Sequence, residues 1–331
     1  MLFFIEFFIM RINICLISDE NFIQHLTVTM ASILANANID DDLYFYILLD
    51  KALSSETKEK ILTLQKIKKF NIYFIEVEKS IFNNYSNVRK MANFKFFLGD
   101  ILKDVDKILY LDCDLVVLTS LKDLFSENID NYYLAGADNI GHYFLYKDRD
   151  YFISDFYINS GVMLINLKLW RQDNLKDKFI TIKEKNIKNF IFVDQDVINL
   201  CCENKIKPLD LSWNMHTGFF KNFYFHPMKE EIKKAIANPK IIHYSSFKKP
   251  WNAYSPLMKF YYKYLALTPF NKNITFKFKL KVFFTYFIFL LDILNRRIRV
   301  LFSPVIKRAR KNKVLRKIKD KINVILGIDK K

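Results

Sequence analysis

The sequence predicts an α/β protein in which helices flank a mostly parallel sheet. The first observation is that strand-length apolar runs alternate with helix-length segments, as expected when parallel strands are joined by crossover helices. The second is that 51% of the 331 residues are hydrophobic, enough for a large core. The third is the small number of flexible or chain-breaking residues, 6 Gly and 7 Pro, which argues against extensive disorder.

The predicted elements follow one another from the N-terminus. A buried strand over 11–17 ends at polar residues, and a helix continues to about residue 36. A second strand covers 43–49, and Ser54 is the expected N-cap of the next helix. Further strands are predicted over 71–77, 107–111, 115–118, 157–166 and 241–244, and a helix opens within 192–199. Strands alternating with helices place ligands outside the carboxyl ends of the strands.

Asp112 and Asp114 are the most informative polar pair in the chain. They follow a strand-like apolar run, and alternation along an extended segment points both carboxylates the same way. Like charges held close together favour a neutralising cation, and Mg²⁺ or Mn²⁺ prefers oxygen ligands shared with substrate phosphates. An isolated Asp-x-Asp pair is also compatible with a solvated turn, so the pair alone leaves both readings open.

The net charge of +17 is concentrated in the tail. Residues 271–331 hold 18 Lys and Arg against three Asp, a net charge of +15, which leaves +2 for the first 270 residues. The tail contains an apolar run over 282–294, too short to cross a bilayer, and a basic amphipathic pattern over 307–325. This combination predicts an interfacial membrane element, with a solvated domain helix and a nucleic-acid-binding segment as alternatives.

Two further features concern the environment of the protein. Cys15, Cys113, Cys201 and Cys202 match neither a disulfide framework nor a zinc site, which favours a reducing cytosol. The adjacent pair 201–202 is expected to pack within a helix. Residues 1–10 form an apolar extension that is too short to span a membrane and lacks the features of a signal peptide.

Five motifs in order give the chain a family resemblance. They are Ser-Asp-Glu-Asn-Phe at 18–22, Leu-Tyr-Leu-Asp-Cys-Asp at 109–114, the segment 159–167, Asp-Gln-Asp at 194–196, and His243 with Lys-Pro-Trp at 249–251. From residue 11 to about 251 the chain resembles glycosyltransferase family 8, the retaining bacterial lipooligosaccharide galactosyl- and glucosyltransferases of GT-A fold. The resemblance implies a catalytic domain over 11–262, and the basic amphipathic pattern predicts a membrane-associating helical tail over 263–331.

The resemblance also implies a nucleotide and metal site. Asp19 and Asn21 would hydrogen-bond the uracil and Phe22 would stack on it, although Asp19 and Asn21 also suit a helix cap. A divalent ion would bind Asp112, Asp114 and His243, and Cys113, between the two aspartates, would contact the UDP-sugar. Taken alone, His243 between apolar neighbours is more often a buried structural histidine. Lys249 would contact the diphosphate. Ser246 stands where glycine is usual, and Lys95 stands where an arginine commonly contacts the donor.

The sugar end of the implied site contains Asn159, Asp194 and Gln195. Asp194 would orient donor hydroxyls and Gln195 would face the anomeric carbon, while Asp138 either faces the sugars or lies in a surface turn. The expected activity is transfer of glucose or galactose from a UDP-sugar to a lipid-linked glycan in lipopolysaccharide or lipooligosaccharide synthesis. Mn²⁺ would assist, with Mg²⁺ as a substitute, on the inner face of the cytoplasmic membrane. Same-face substitution is favoured over a covalent intermediate. The alternative is a catalytically silent GT-A protein that binds membrane or nucleic acid.

Overall fold

A computed structural model describes residues 10–82, 91–140, 156–186, 188, 190–222, 228–271 and 275–309. The chain divides into two compact units. The first comprises Met1–Lys249 and Pro256–Asn273, and the second comprises Pro250–Ser255 and Ile274–Lys331. Most of the apolar extension 1–10 and of the basic amphipathic pattern 307–325 lies outside the described residues.

A seven-stranded sheet forms the centre of the first unit, in the order β3-β2-β1-β4-β7-β6-β8. Its strands are β1 Met10–Ser18, β2 Asp41–Leu49, β3 Asn71–Glu76, β4 Lys107–Leu111, β6 Leu134–Asp138, β7 Ile158–Asn166 and β8 Ile206–Leu209. A second sheet has the order β5-β10-β9, with β5 Leu115–Val117, β9 Met215–His216 and β10 Ile241–His243.

The α/β prediction is confirmed, since helices connect most of these strands. The α-helices are α1 Ile23–Asn36, α2 Ser55–Leu62, α3 Leu98–Ile101, α4 Lys122–Ser126, α5 Leu167–Gln172, α6 Leu175–Asn186, α7 Val193–Cys202, α8 Phe219–Asn222, α9 Lys229–Ala237, α10 Met258–Leu265 and α11 Phe276–Ala309. Short 3₁₀ turns cover Glu20–Phe22, Thr63–Lys66, Lys79–Phe82, Met91–Phe97, Glu203–Lys205 and Leu211–Asn214.

Local sequence explains several of these boundaries. The Ser54 hydroxyl accepts a hydrogen bond from the Thr57 amide at 3.1 Å, so the predicted N-cap of α2 is confirmed. Strand β7 is buried along nearly its whole length, as expected of an apolar run at the centre of a covered sheet. Cys201 and Cys202 lie in the last turn of α7, as predicted.

The central sheet is mostly parallel, and β7 is the strand that departs from this. Strands β3, β2, β1 and β4 run parallel to one another, and β6 runs parallel to β8, whereas β7 pairs antiparallel with both β4 and β6. Since β1 and β4 are parallel neighbours, their carboxyl ends lie side by side at one edge. The Cys113 thiol, just after β4, contacts the Ile17 carbonyl of β1 at 3.3 Å, which confirms this adjacency.

The small second sheet carries residues to the same region. Strand β10 pairs antiparallel with β5, so that His243 lies opposite Leu115, one residue after the Asp-x-Asp pair. On its other side β10 runs parallel to β9, with His243 opposite His216. The sheet therefore joins three distant segments of the chain beside the end of β4.

The second unit contains α11, which has 34 residues. Within this unit the Tyr254 amide donates to the Thr285 hydroxyl at 2.8 Å, and the Tyr254 ring packs against Tyr286 and Phe289. Among the described residues, no helix combines the length and hydropathy required to cross a bilayer.

Candidate active site

Asp112, Asp114 and His243 form a compact cluster of oxygen and nitrogen ligands, here called the metal centre. His243 Nε2 lies 3.1 Å from Asp114 Oδ1 and 3.6 Å from Asp112 Oδ2. One ligand atom from each residue lies within 4.8 Å of the others. Two carboxylates and an imidazole suit a divalent cation that accepts oxygen and nitrogen ligands. The residues present therefore fit a divalent metal ion.

Backbone hydrogen bonds hold the metal centre together. The two carboxylates lie in the bend between β4 and β5 rather than within one strand. The Asp112 amide donates to the Gly161 carbonyl at 2.8 Å, and the Tyr244 amide donates to the Asp114 carbonyl at 2.9 Å. Each ligand segment is thus tied to a different neighbouring strand, which fixes its position without using the carboxylate oxygens.

Asn214 orients the imidazole of His243. His243 Nδ1 lies 3.0 Å from Asn214 Oδ1, an amide oxygen that can only accept, so Nδ1 carries the hydrogen. The Asn214 amide nitrogen in turn donates to Asn159 Oδ1 at 3.0 Å. This leaves Nε2 directed at the two carboxylates, the arrangement by which a second residue commonly orients a metal-binding histidine.

Gly161 makes room for the metal centre. A Cβ atom at this position would lie 2.2 Å from His243 Cε1 and 2.7 Å from Asp112 Oδ2. Both distances are far shorter than normal contacts, so a larger residue would displace the imidazole or the carboxylate. The glycine in the motif 159–167 is therefore required by space rather than by an unusual backbone angle.

Two lysines place positive charge against the carboxylates. Lys249 Nζ pairs with Asp114 and donates to the Tyr244 carbonyl at 2.6 Å. Burial alone would raise the pKa of Asp114, but His243 and Lys249 outweigh that effect and hold it well below its usual range. Asp112 accepts a hydrogen bond from the Tyr110 hydroxyl at 2.6 Å, and burial is the main cause that raises the pKa of that tyrosine.

Lys95 links Asp112 of the metal centre to Asp194. It is 4% exposed, and its Nζ lies 3.5 Å from Asp112 Oδ1 and 2.9 Å from Asp194 Oδ2. Burial alone would lower the pKa of Lys95, but the two carboxylates outweigh it and raise the pKa. Lys95 is therefore a buried cation shared by two aspartates.

A cavity of about 330 Å³ opens beside the metal centre. Its wall combines the metal ligands with polar residues of β7 and α7 and with the loop after β10. The lining residues are Lys95, Asp112, Asp114, Asn139, Asn159, Ser160, Gly161, Phe192, Asp194, Gln195, His216, Gly218, His243, Ser245 and Ser246.

Gln195 is held in one orientation at the cavity wall. Its Oε1 accepts from the Ser160 amide at 3.1 Å, and its Nε2 donates to the Tyr157 hydroxyl at 3.0 Å. The same hydroxyl donates to Asp196, whose other oxygen accepts the Ile191 and Phe192 amides at 2.7 and 2.8 Å. Asp196 thus organises the start of α7, while Asp194 and Gln195 face the cavity.

The structure brings most of the expected site residues together, but places several at the periphery. Asp19 to Phe22, here called the β1 loop, follow β1 at the same sheet edge, where Asp19 accepts from the Phe22 amide at 2.9 Å. Asn21 is exposed, and the Phe22 ring packs edge-on against His25 at 4.5 Å. The Cys113 side chain points to Ile17.

Asp138 lies at the carboxyl end of β6, beside the lining residue Asn139. Burial raises its pKa to about 7, so this carboxylate holds its proton far more tightly than an exposed aspartate does. The alternative of a surface turn is wrong, because Asp138 belongs to the sheet and pairs in register with Ile158 of β7.

Several residues of the site were not predicted from the sequence, and three of them contact or face the metal ligands. Asn214 and Tyr110 orient metal ligands, and His216 lines the cavity opposite His243 in the register of β9 and β10. Burial lowers the pKa of His216 to about 3, so its imidazole is neutral near pH 7. No local pattern marks Asn214 or His216, whereas Tyr110 lies within the Asp-x-Asp motif.

The fold and the cluster of metal ligands together are typical of a nucleotide-sugar transferase. The family model for glycosyl transferase family 8 matches residues 13–255, and the chain belongs to this family of glycosyltransferases. The class predicted from the five motifs is therefore confirmed, as is its fold.

Several relatives can be compared over most of their length. General stress protein A of Bacillus subtilis is 26% identical over 277 residues, which are 80% of this chain and 95% of that protein. The lipopolysaccharide 1,3-galactosyltransferase of Salmonella typhimurium is 26% identical over 79% of this chain and 80% of its own. The chain spans only 22% of the glycosyltransferase GlyA of Streptococcus pneumoniae.

The fold is similar to that of the galactosyltransferase LgtC solved with donor and acceptor sugar analogs. The TM-score is 0.66 at 21% identity, over 82% of this chain and all of LgtC. At this identity the similarity establishes the fold.

Proposed function

We propose that this glycosyltransferase transfers a hexose, glucose or galactose, from a UDP-sugar to a glycan with retention of configuration. The observation that carries the proposal is the convergence of Asp112, Asp114 and His243 on a polar cavity. Loss of UDP places negative charge on the leaving diphosphate, and a divalent ion would stabilise that charge as a Lewis acid. Mn²⁺ is the ion we expect, with Mg²⁺ as a substitute.

The lysine beside the metal centre would contribute to the same charge stabilisation. Lys249 pairs with Asp114, so its ammonium group lies beside a carboxylate of the metal centre. As a point charge it would hold the leaving group without demanding one geometry. Ser246 lines the cavity. Its hydroxyl would hydrogen-bond the phosphate in place of a close backbone approach.

The sugar end would orient the transferred hexose. Asp194 would accept hydrogen bonds from donor hydroxyls while Lys95 neutralises its charge. Asn159 and the fixed amide of Gln195 line the same cavity, as does Asn139. Asp138 immediately precedes Asn139 and would contact the hexose from there. An amide is a poor nucleophile, which favours same-face substitution in which the leaving phosphate takes the acceptor proton. The β1 loop would bind the uracil through Asp19, Asn21 and Phe22.

For the acceptor we propose a lipid-linked glycan, as in lipopolysaccharide or lipooligosaccharide synthesis. The similarity to the lipopolysaccharide 1,3-galactosyltransferase of Salmonella typhimurium supports this choice. The net charge of +15 over residues 271–331 supports binding to an anionic membrane surface, which we assign to the inner face of the cytoplasmic membrane. The complete metal centre argues against a catalytically silent protein.

A donor screen tests the proposed activity. Calorimetry with UDP-glucose, UDP-galactose and GDP-mannose, each with Mn²⁺ or EDTA, should show metal-dependent binding of a UDP-sugar and no binding of the GDP-sugar. A hydrolysis assay should then release UDP slowly from the preferred donor with Mn²⁺ present. Equal binding of all three donors, or full hydrolysis in EDTA, would contradict the proposal.

A further inference from the structure

One face of α11 carries a row of exposed apolar side chains. Phe276 is 80% exposed and Phe283 is 63% exposed, and the other members of the row are also exposed. They recur every three or four residues and occupy a sector about 100° wide. We call this row the apolar stripe; it consists of Phe276, Leu280, Phe283, Phe287, Leu290, Leu291 and Leu294. The same helix also exposes Phe284, Tyr286 and Ile288 on the two sides of the stripe.

The opposite face of the same helix is already occupied. Tyr254 packs against Tyr286 and Phe289 with ring centroids 4.7 and 5.3 Å apart, and Phe289 is only 8% exposed. At about 100° per residue, Phe289 lies about 150° and Tyr286 about 90° around the helix from the centre of the apolar stripe. The helix therefore has one face that packs within its own unit and one face that does not.

Basic residues flank the apolar stripe. Lys277, Lys279 and Lys281 follow its first member, and between residues 263 and 309 the sequence contains one acidic residue, Asp292. The apolar stripe extends for about 27 Å along the helix, which is longer than the contact that a single short helix or strand would make. An isolated apolar row of this size marks an interaction surface.

We propose that the apolar stripe inserts into the interfacial layer of an anionic bilayer while α11 lies parallel to the membrane plane. This inference rests on the membrane association proposed above and specifies that lipid acyl chains, not only charged headgroups, hold the enzyme. Aromatic and leucine side chains would enter the boundary between headgroups and acyl chains, and the lysines would pair with lipid phosphates. Crossing the membrane is not required.

A second copy of the chain fits the stripe less well. If two stripes packed face to face around a twofold axis, the lysines flanking one stripe would approach those flanking the other. Such a contact would place like charges together without acidic residues to neutralise them. A bilayer containing anionic lipid has the complementary charge.

Vesicle sedimentation of the full chain tests the inference. The variant Phe283→Ser with Phe287→Ser should bind vesicles of phosphatidylcholine and phosphatidylglycerol about tenfold more weakly than the parent, because two large apolar groups are lost. The matched control, Ile39→Ser with Leu62→Ser, removes two exposed apolar residues of the first unit and should bind like the parent. Replacing both phenylalanines by leucine should restore most of the binding.

Salt separates insertion from purely electrostatic binding. The parent should stay partly bound in concentrated NaCl, whereas the serine variant should be released. Equal binding of parent and serine variant, with both released by salt, would overturn insertion and leave electrostatic membrane association standing. Failure of the parent to bind any anionic vesicle would overturn both. A parent that is dimeric in solution and becomes monomeric on the serine substitutions would assign the stripe to a second copy instead.

Discussion

The metal centre and the β1 loop lie at the same edge of the central sheet, but they are assembled differently. The metal centre joins segments more than 100 residues apart, and its ligands are oriented by Tyr110, Asn214 and Gly161. The β1 loop is a local turn in which Asp19 caps the Phe22 amide three residues later. Substitutions at the metal centre should therefore alter chemistry through distant contacts, whereas those in the loop should have small and local effects.

The largest effect is expected at the metal ligands. Asp112→Asn or Asp114→Asn should lower transfer by about three orders of magnitude or more, because the charge on the leaving diphosphate would no longer be neutralised. Steady-state assays with Mn²⁺ measure this loss, and circular dichroism should show an unchanged fold. Near-parental turnover in either variant would show that the cluster is not the metal site.

Gly161→Ala should have the next largest effect. The added methyl group would overlap His243 Cε1 and displace the imidazole, so metal-dependent UDP binding should be lost. The matched control is Gly99→Ala, whose Cβ would lie at 3.3 Å from Arg171 Cγ, outside the cavity. Calorimetry of UDP with Mn²⁺ compares the two variants. Retained binding in Gly161→Ala would mean that His243 is not needed in its observed position.

Asn214→Ala tests whether orientation of the imidazole matters in itself. Losing the partner of His243 Nδ1 should weaken metal affinity by about 10- to 100-fold, the usual range for residues behind a metal ligand. Asn214→Asp keeps an oxygen that accepts from Nδ1 and should retain most of the affinity. If alanine and aspartate weaken Mn²⁺ binding equally, the hydrogen bond from Nδ1 is not the cause.

Asp138→Asn sharpens the contrast between buried carboxylates. Cations lower the pKa of Asp114, whereas burial raises the pKa of Asp138 to about 7. Because the folded state binds this proton more tightly than the unfolded state, folding stability falls as the pH rises from about 4 to 7. The asparagine substitution should remove that loss. Between pH 4 and pH 8, the free energy of unfolding of the variant should therefore rise relative to that of the parent by at most about 4 kcal/mol. Urea unfolding of variant and parent at the two pH values measures these free energies. If the difference between variant and parent does not change with pH, the pKa of Asp138 is not raised in the folded protein.

The smallest effect is expected in the β1 loop. Asp19→Ala removes a cap and should cost about 1 kcal/mol of unfolding free energy, together with a loss of UDP affinity that does not depend on the metal. Asp19→Ser should restore the cap but not the affinity. Urea unfolding measures the cap, and calorimetry of UDP at saturating Mn²⁺ measures the nucleotide contact. Loss of Mn²⁺ binding in Asp19→Ala would show that the β1 loop and the metal centre do not act independently.

The same contrast explains what could be predicted from the sequence. Strand and helix positions follow from local apolar patterns, and the cap at Ser54 follows from one residue type. The local Asp-x-Asp pattern indicates Asp112 and Asp114, whereas the roles expected of Asp194 and His243 follow from the family resemblance. Asn214 and His216 could not be found, because their roles arise from the pairing of β9 with β10, a contact between distant segments that no local pattern encodes. The apolar stripe was visible only in part, since its exposure depends on which face of α11 packs against Tyr254.

Anomalous diffraction from crystals grown with Mn²⁺ and UDP tests the central claim most directly. We expect one strong manganese peak within bonding distance of oxygens of Asp112 and Asp114 and of His243 Nε2, with diphosphate oxygens as further ligands. A manganese peak elsewhere, or bound UDP without manganese at these three residues, would contradict it.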